Sequence, residues 1–180
     1  MLSITIPGFE IYDEATGKIV EIKGRDIQLE HSLVSISKWE SKWKKPFLGT
    51  ESRTMQETID YVKCMTLTQN VDPRVYQGIT NENILKIKAY IEDPMTATTF
   101  KKRPGRASNS IATSEVIYYW MISLEIPMEC QKWHLNRLLT LIRVCDEKSS
   151  QSGKKMSKRD VMSQYRSLNA ARRSKYGTRG

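Results

Sequence analysis

The sequence predicts an α+β fold that is mostly α: a small N-terminal β-hairpin or sheet, a five- or six-helix bundle, and a basic flexible C-terminal tail. Three observations carry that expectation. Apolar residues alternate with polar ones over the first thirty positions, the two-residue period of half-buried strands. From Ser32 to Cys145 they recur instead at three- and four-residue steps, as on helices. After Cys145 the composition turns polar and cationic. The expected organisation is a globular domain over 1–145, β-rich over 1–31 and helical over 32–145, followed by a basic linker and tail over 146–180.

Taken in order, "LSITIPG" places Leu2, Ile4 and Ile6 on one side of a strand. "FEIYDEATGKIVEIK" reads as a hairpin, with Phe9 and Ile11 on one arm and Ile19 and Ile22 on the other. Gly17 sits in the turn "EATGK", where positive φ is accessible to it. "RDIQLEHS" is a further short extended piece. Ser32 then caps a helix carrying Leu33, Ile36, Trp39 and Trp43 on one face. Lys38, Lys42, Lys44 and Lys45 fall mostly on other faces, and Pro46 stops the helix near Lys45. The stretch "SISKWESKWKKPFLG" therefore reads as a core-facing tryptophan stripe; a nucleic-acid stacking platform would need the aromatics exposed beside the cations.

A second helix starts at "TMQE", a capping-box pattern from Thr54 to Glu57 ahead of Ile59, Val62 and Cys64–Met65. "NVDPRVYQGIT" is a short turn segment with Pro73 in its first turn. Thr80 or Asn81 caps "NENILKIKAYIEDP", whose Ile84, Ile87 (or Leu85 with the Lys88 stem) and Ile91 form an apolar face. "KKRPGRASNS", from Lys101 to Ser110, is a basic Pro/Gly-containing loop. Thr113 or Ser114 caps "SEVIYYWMISLE", with Ile117, Trp120, Met121 and Leu124 on one stripe. After the tight corner "EIP", Pro127 is expected to open one long helix through Cys145, carrying Leu135, Leu138, Leu139 and Ile142.

From Asp146 to Gly180 there are ten Lys/Arg against three Asp/Glu, a charge of +7 out of +9 for the whole chain, which leaves +2 for residues 1–145. The body is nearly neutral and the tail seeks an anionic partner or stays solvated. "DEKSSQSGKK" reads as a linker. Val161, Tyr165 and Leu168 give one thin apolar stripe, a marginal helix over 157–174.

Composition and motifs bound the function. The longest nearly apolar run, "VIYYWMI", falls well short of the roughly 20 residues a membrane span requires. The N-terminus lacks the basic and apolar regions of a signal peptide. Three cysteines, Cys64, Cys130 and Cys145, form no disulfide framework and suit reduced thiols in a cytoplasm. Cys130 and His134 lie four apart on the expected helix, but His31 is distant and no second ligand pair completes a zinc site. No cysteine has a nucleophile signature beside a histidine, and no phosphate-binding glycine loop is present. The expectation is a non-enzymatic binding protein with no cofactor and no metal. Basic residues of the Lys101–Arg106 loop and the tail can neutralise phosphates, or the tail helix can dock on an acidic rim.

The segments "LEHSLVSISKWESKWKKPFL", "ETIDYVKCM" and "IYYWMISLEIPMECQKWHLNRLLTLIRVC" resemble a family of small tailed-bacteriophage proteins, the tail assembly chaperones. The likeness covers about residues 1–145 and extends to the basic ending "NAARRSKYGTRG". The resemblance implies binding to the long tape-measure protein, help to the tail-tube subunits assembling around it, frequent homo-oligomerisation, residence in the host cell cytoplasm and absence from the finished particle. Many such proteins come in two lengths through a programmed frameshift. The β-rich start departs from a purely helical pattern. On this reading the candidate partner contacts are Trp39, Trp43, Tyr119, Trp133 and Tyr165, with Arg172, Arg173 and Lys175 from the tail. The rival class is a nucleic-acid-associated, connector or structural phage protein that uses the basic tail.

Overall fold

A computed structural model describes residues 1–13, 17–49, 52–100, 111–152 and 158–177. The basic loop expected over Lys101–Ser110 lies outside the described residues. Contacts divide the chain into two units, residues 1–144 and 145–180.

The first unit begins with four strands in two antiparallel pairs: β1 (Leu2–Ile6) with β4 (Arg25–Leu29), and β2 (Phe9–Asp13) with β3 (Lys18–Ile22). Pairing Leu2 with Leu29 and Ile4 with Ile27 puts Ile4, Ile6, Ile27 and Leu29 on one buried face. The hairpin of β2 and β3 is mostly open to solvent, and Tyr12 faces Ile19 across it with both rings and methyls exposed. The two pairs meet where Gly8 and Gly24 touch: a Cβ on Gly24 would lie 2.7 Å from the Gly8 nitrogen and 2.9 Å from the Ile6 carbonyl oxygen. Backbone cannot retreat from such a contact as a flexible side chain can. Gly24→Ala is therefore expected to cost about 1–3 kcal/mol, the range for overpacking, read as a lower denaturant midpoint at unchanged slope.

Among the described residues six α-helices follow: α1 (Leu33–Trp43), α2 (Met55–Met65), α3 (Asn81–Glu92), α4 (Ser114–Ser123), α5 (Leu135–Ser152) and α6 (Lys158–Tyr176), with 3₁₀ turns at Pro73–Gly78 and Met128–Lys132. The fold class is α+β, mostly α. Local chemistry sets the starts. Ser32 and Ser35 cap each other's backbone at α1, Thr54 and Glu57 do the same at α2, and the Thr80 side chain accepts from the Asn83 N–H at α3. At its far end α1 closes on Lys44 in the left-handed region, φ 55°, whose N–H returns to the Glu40 carbonyl. That bend lets Lys45 precede Pro46 outside the helix.

The short corner Leu29–Leu33 ties distant parts of the chain together. Glu30 N–H donates to the Met65 carbonyl at the end of α2, and Leu135 N–H donates to the His31 carbonyl at the start of α5, 2.9 and 2.7 Å long. Around this corner Leu33, Ile36, Trp39, Met65, Ile117, Met121, Leu135 and Leu138 are fully buried.

Two expectations are corrected. Pro127 does not open a helix running to Cys145. It precedes a 3₁₀ turn, Trp133 is extended, and α5 begins only at Leu135 because His134 bridges to Ser32. Cys130 and His134 therefore do not share a helix. Residues 146–152, expected as linker, continue α5, with Ser149 donating to the Cys145 carbonyl; no proline or glycine interrupts them before Gly153. In the second unit, the stripe expected to form at most a marginal helix over 157–174 lies on the 19-residue α6.

Candidate functional site

The four tryptophan and tyrosine positions singled out in the first unit divide by burial. Trp39 is fully buried and donates its indole N–H to the Glu57 carbonyl, 2.9 Å. Its ring meets Phe47 edge-on at 5.3 Å and Trp43 at 6.3 Å. Fully buried, with Phe47 and the Arg53 guanidinium against its ring, Trp39 offers no surface to a partner. Trp43 is half-buried, with the Lys42 and Lys45 amines 5.8 and 5.9 Å from its ring centre. Those amines are committed elsewhere, to two buried carboxylates of α2: Lys42 to Asp60 at 2.5 Å and Lys45 to Glu57 at 2.7 Å. The bond from Lys45 holds the Glu57 carboxyl below its ordinary range. Burial pushes Asp60 upward, but the bond from Lys42 and the charges of Lys42 and Lys63 outweigh it and leave it lowered. The tryptophan-lysine stretch is a packed helix pair with ionic clasps, not an open stacking surface.

Trp133 is half-buried beneath the Arg137 guanidinium, 4.3 Å from its ring centre. Tyr119 differs from these: it is 66% exposed. It stands on the outer face of α4 with Val116 and Ile122, itself 67% exposed, at three-residue steps. Ile117 and Met121, on the opposite face of the same helix, are fully buried. A helix apolar on both faces normally lies inside a protein; here the second apolar face is turned to solvent. Val116 and Ile122 are the site residues that sequence reasoning missed. The run "VIYYWMI" carried the signal, since apolar residues filling every angle leave a surplus once one face is packed.

Glu40 holds α4 in place. The Thr113 side chain makes no capping bond at the helix start. The buried Glu40 carboxylate of α1 takes over: one oxygen accepts from the Ser114 N–H at 2.8 Å, the other from the Phe47 N–H at 2.7 Å. A negative charge at a helix N-terminus also meets the positive end of the helix dipole. Beside this clasp lies a cavity of about 410 Å³ lined by Glu40, Lys44, Lys45, Pro46, Thr113 and Glu115, at the N-terminal end of the exposed α4 stripe.

The chain's two histidines, far apart in sequence, are brought together and both buried, with ring centres 5.1 Å apart. Burial foremost, then the nearness of His134 and of the Arg53 guanidinium, lowers His31 to about 3, so it is neutral. Its Nδ1 lies 2.5 Å from the Tyr61 hydroxyl, whose own titration burial pushes far up. His134 donates from Nε2 to the Tyr90 carbonyl at 3.0 Å, while its buried Nδ1 has no hydrogen-bond partner among the described residues. Among the described residues no group of three or more His, Cys, Asp or Glu side chains is placed to hold a metal.

In the second unit α6 exposes Met162, Tyr165 and Leu168 together with Arg166, Arg172 and Arg173; the side chain of Lys175 lies outside what is described. Among the described residues no helix is long and apolar enough to cross a membrane. Compared with protein-family models, curated proteins and solved structures, the chain matches none.

Proposed function

We propose that this protein is a non-enzymatic assembly chaperone of a tailed-phage tail module, working in the host cytoplasm to cover amphipathic segments of the tape-measure protein while tail-tube subunits assemble. The observation that carries this reading is the outer face of α4. Tyr119 and Ile122 are two-thirds exposed on a helix whose other face is core. Exposed apolar patches of this kind mark protein interaction sites, and an amphipathic helix laid on such a face buries its own apolar stripe in return. The rigid placement of α4 by Glu40 suits a docking surface, because a preformed face spares the ordering cost of binding. On α6 the exposed arginines add electrostatic steering toward an acidic segment.

Co-expression with the tape-measure protein of the phage that encodes this chain tests the reading. Wild type is expected to raise the soluble fraction of that protein, and Ile122→Glu to abolish the effect while leaving the circular dichroism spectrum unchanged. Equal rescue by the variant would overturn the reading. A second reading, binding to nucleic acid, draws on Arg166, Arg172 and Arg173 exposed along one helix. It requires DNA or RNA affinity that falls steeply with salt and disappears when residues 146–180 are removed.

A further inference from the structure

We infer that the cavity between the start of α1 and the end of α2 binds a small amphiphile, an aliphatic chain ending in a carboxylate or a phosphate, with Lys38 and Lys132 holding the head. The cavity shares no residue with α4, so this site stands apart from the client-binding reading above.

Helical spacing builds one wall. Leu33, Ile36 and Trp39 are fully buried in the core, which leaves Val34 and, one turn later, Lys38 to line the cavity. Cys64 and Met65 join from the last turn of α2, Leu67 follows them, and Lys132 comes from the end of the 3₁₀ turn Met128–Lys132. The space is about 410 Å³, within the range of small-ligand sites.

The polar groups of the lining divide into those already engaged and those on offer. Ser32 and Ser35 turn their hydroxyls to capping α1. Thr66 donates to the Val62 carbonyl and accepts from the Tyr76 hydroxyl. Both oxygens of Glu30 are taken: the Tyr90 hydroxyl donates to one at 2.7 Å, and the Met1 amine meets the other at 3.2 Å. The lysines differ. Lys42, Lys45 and Lys63 pair with Asp60 or Glu57, whereas among the described residues Lys38 and Lys132 have no carboxylate within ion-pair distance. Burial pushes the Cys64 thiol up and the Lys38 charge opposes it, which puts that charge beside the apolar wall.

Two cations without anions around an apolar-walled space focus positive potential into it. An aliphatic chain there is removed from water together with the walls it covers, while its head meets the two ammonium groups. Lysine is a point charge without the planar fork of arginine, so it takes a carboxylate or a phosphate alike. A cationic chain is refused by the same field, and a neutral chain keeps only the apolar share.

Titration of the full-length, isotope-labelled chain with sodium octanoate, octyl phosphate, octanol and octylamine, followed by amide NMR, tests the site. Octanoate or octyl phosphate is expected to saturate at millimolar concentration, as suits about ten non-hydrogen atoms. The shifts should group at residues 34–38, 64–67 and 132, and the tighter of the two anions identifies the head group. Octanol is expected to bind several-fold more weakly, and octylamine not at all. Hexanoate, two methylenes shorter, is expected to be about tenfold weaker than octanoate. Lys38→Gln and Lys132→Gln should each cost about threefold, the scale of an exposed ion pair. Both side chains are exposed, so these variants are expected to keep the wild-type denaturation midpoint. Lys38→Glu with Lys132→Glu is expected to invert the choice, taking octylamine and refusing octanoate. Octanoate should also slow N-ethylmaleimide at Cys64 and leave Cys145, which is outside the cavity, unchanged. No saturable shift from either anion, octanol as tight as octanoate, or a double glutamate variant that still prefers octanoate would each overturn the inference. Shifts scattered along the chain, with both cysteines slowed alike, would mean detergent action and overturn it too. None of these outcomes bears on the solubility of the tape-measure protein, so this site and the chaperone reading fail separately.

Discussion

Glu40→Ala is expected to be among the most damaging single substitutions in the chain, lowering stability by about 3–5 kcal/mol, as two hydrogen bonds to one buried charge imply. The carboxylate is buried, and each oxygen serves a different backbone N–H, Phe47 after α1 and Ser114 at the start of α4. Alanine leaves both donors inside without acceptors and opens the space the side chain filled. Glu40→Gln separates the two bonds, because the amide keeps one acceptor and turns a donor toward the other N–H. It is expected to lose about half as much. Chemical denaturation of both variants checks the order. The loss should be felt most at α4, so hydrogen exchange of residues 114–123 should accelerate in Glu40→Gln even where the rest of the first unit stays protected. A mild effect of Glu40→Ala, below about 1 kcal/mol, would mean that water or another group replaces the carboxylate and that α4 is positioned by packing alone.

Acidification is the second large effect. His31 is neutral in the folded chain because burial lowers it to about 3, whereas an unfolded histidine titrates near 6.5. A depressed histidine contributes stability that is fully present above the unfolded value and is lost as pH falls from there toward the folded one. Each unit of pH below 6.5 should therefore remove about 1.4 kcal/mol. From pH 6.5 to 4.5 the loss is expected to approach about 2–3 kcal/mol, a large part of a marginal stability. The lowered carboxyls of Glu57 and Asp60 act in the same direction, but only below the ordinary carboxylate range near pH 4. The upper window thus belongs to the histidine. Urea titrations at pH 7.0, 6.0, 5.0 and 4.5 should show the midpoint falling for wild type and staying level for His31→Asn, whatever stability that variant has at pH 7. A level wild-type profile over the same range would show that His31 gains a proton without cost.

How much of this was readable in the chain follows from how local each determinant is. The strands, the caps at Ser32, Thr54 and Thr80, and the inward turn of Trp39 depend on residues within a few positions of one another, and all were legible. The break before α5 was not, because Cys130 and Trp133, three residues apart, fit an α-helix as well as a 3₁₀ turn. What decides the matter is a bridge from His134 to Ser32, a hundred residues earlier. The meeting of the two histidines was hidden for the same reason. On α4 the difficulty was different: with apolar residues all round, nothing in the pattern told which half would be covered. Tyr119 was picked out, but Val116 and Ile122 needed the packing of Ile117 and Met121 to show them left over.

The corner at Leu29–Leu33 has a consequence for biosynthesis. Its carbonyl at His31 waits for the amide of Leu135, and the hydrophobic groups behind it wait for Leu135, Leu138 and Ile142. While the ribosome is still making the middle of the polypeptide, everything before α5 lacks its closing wall. A nascent chain arrested before position 135 is accordingly expected to be cut by added protease in the stretch after Glu30. One released with α5 complete and clear of the exit tunnel should resist.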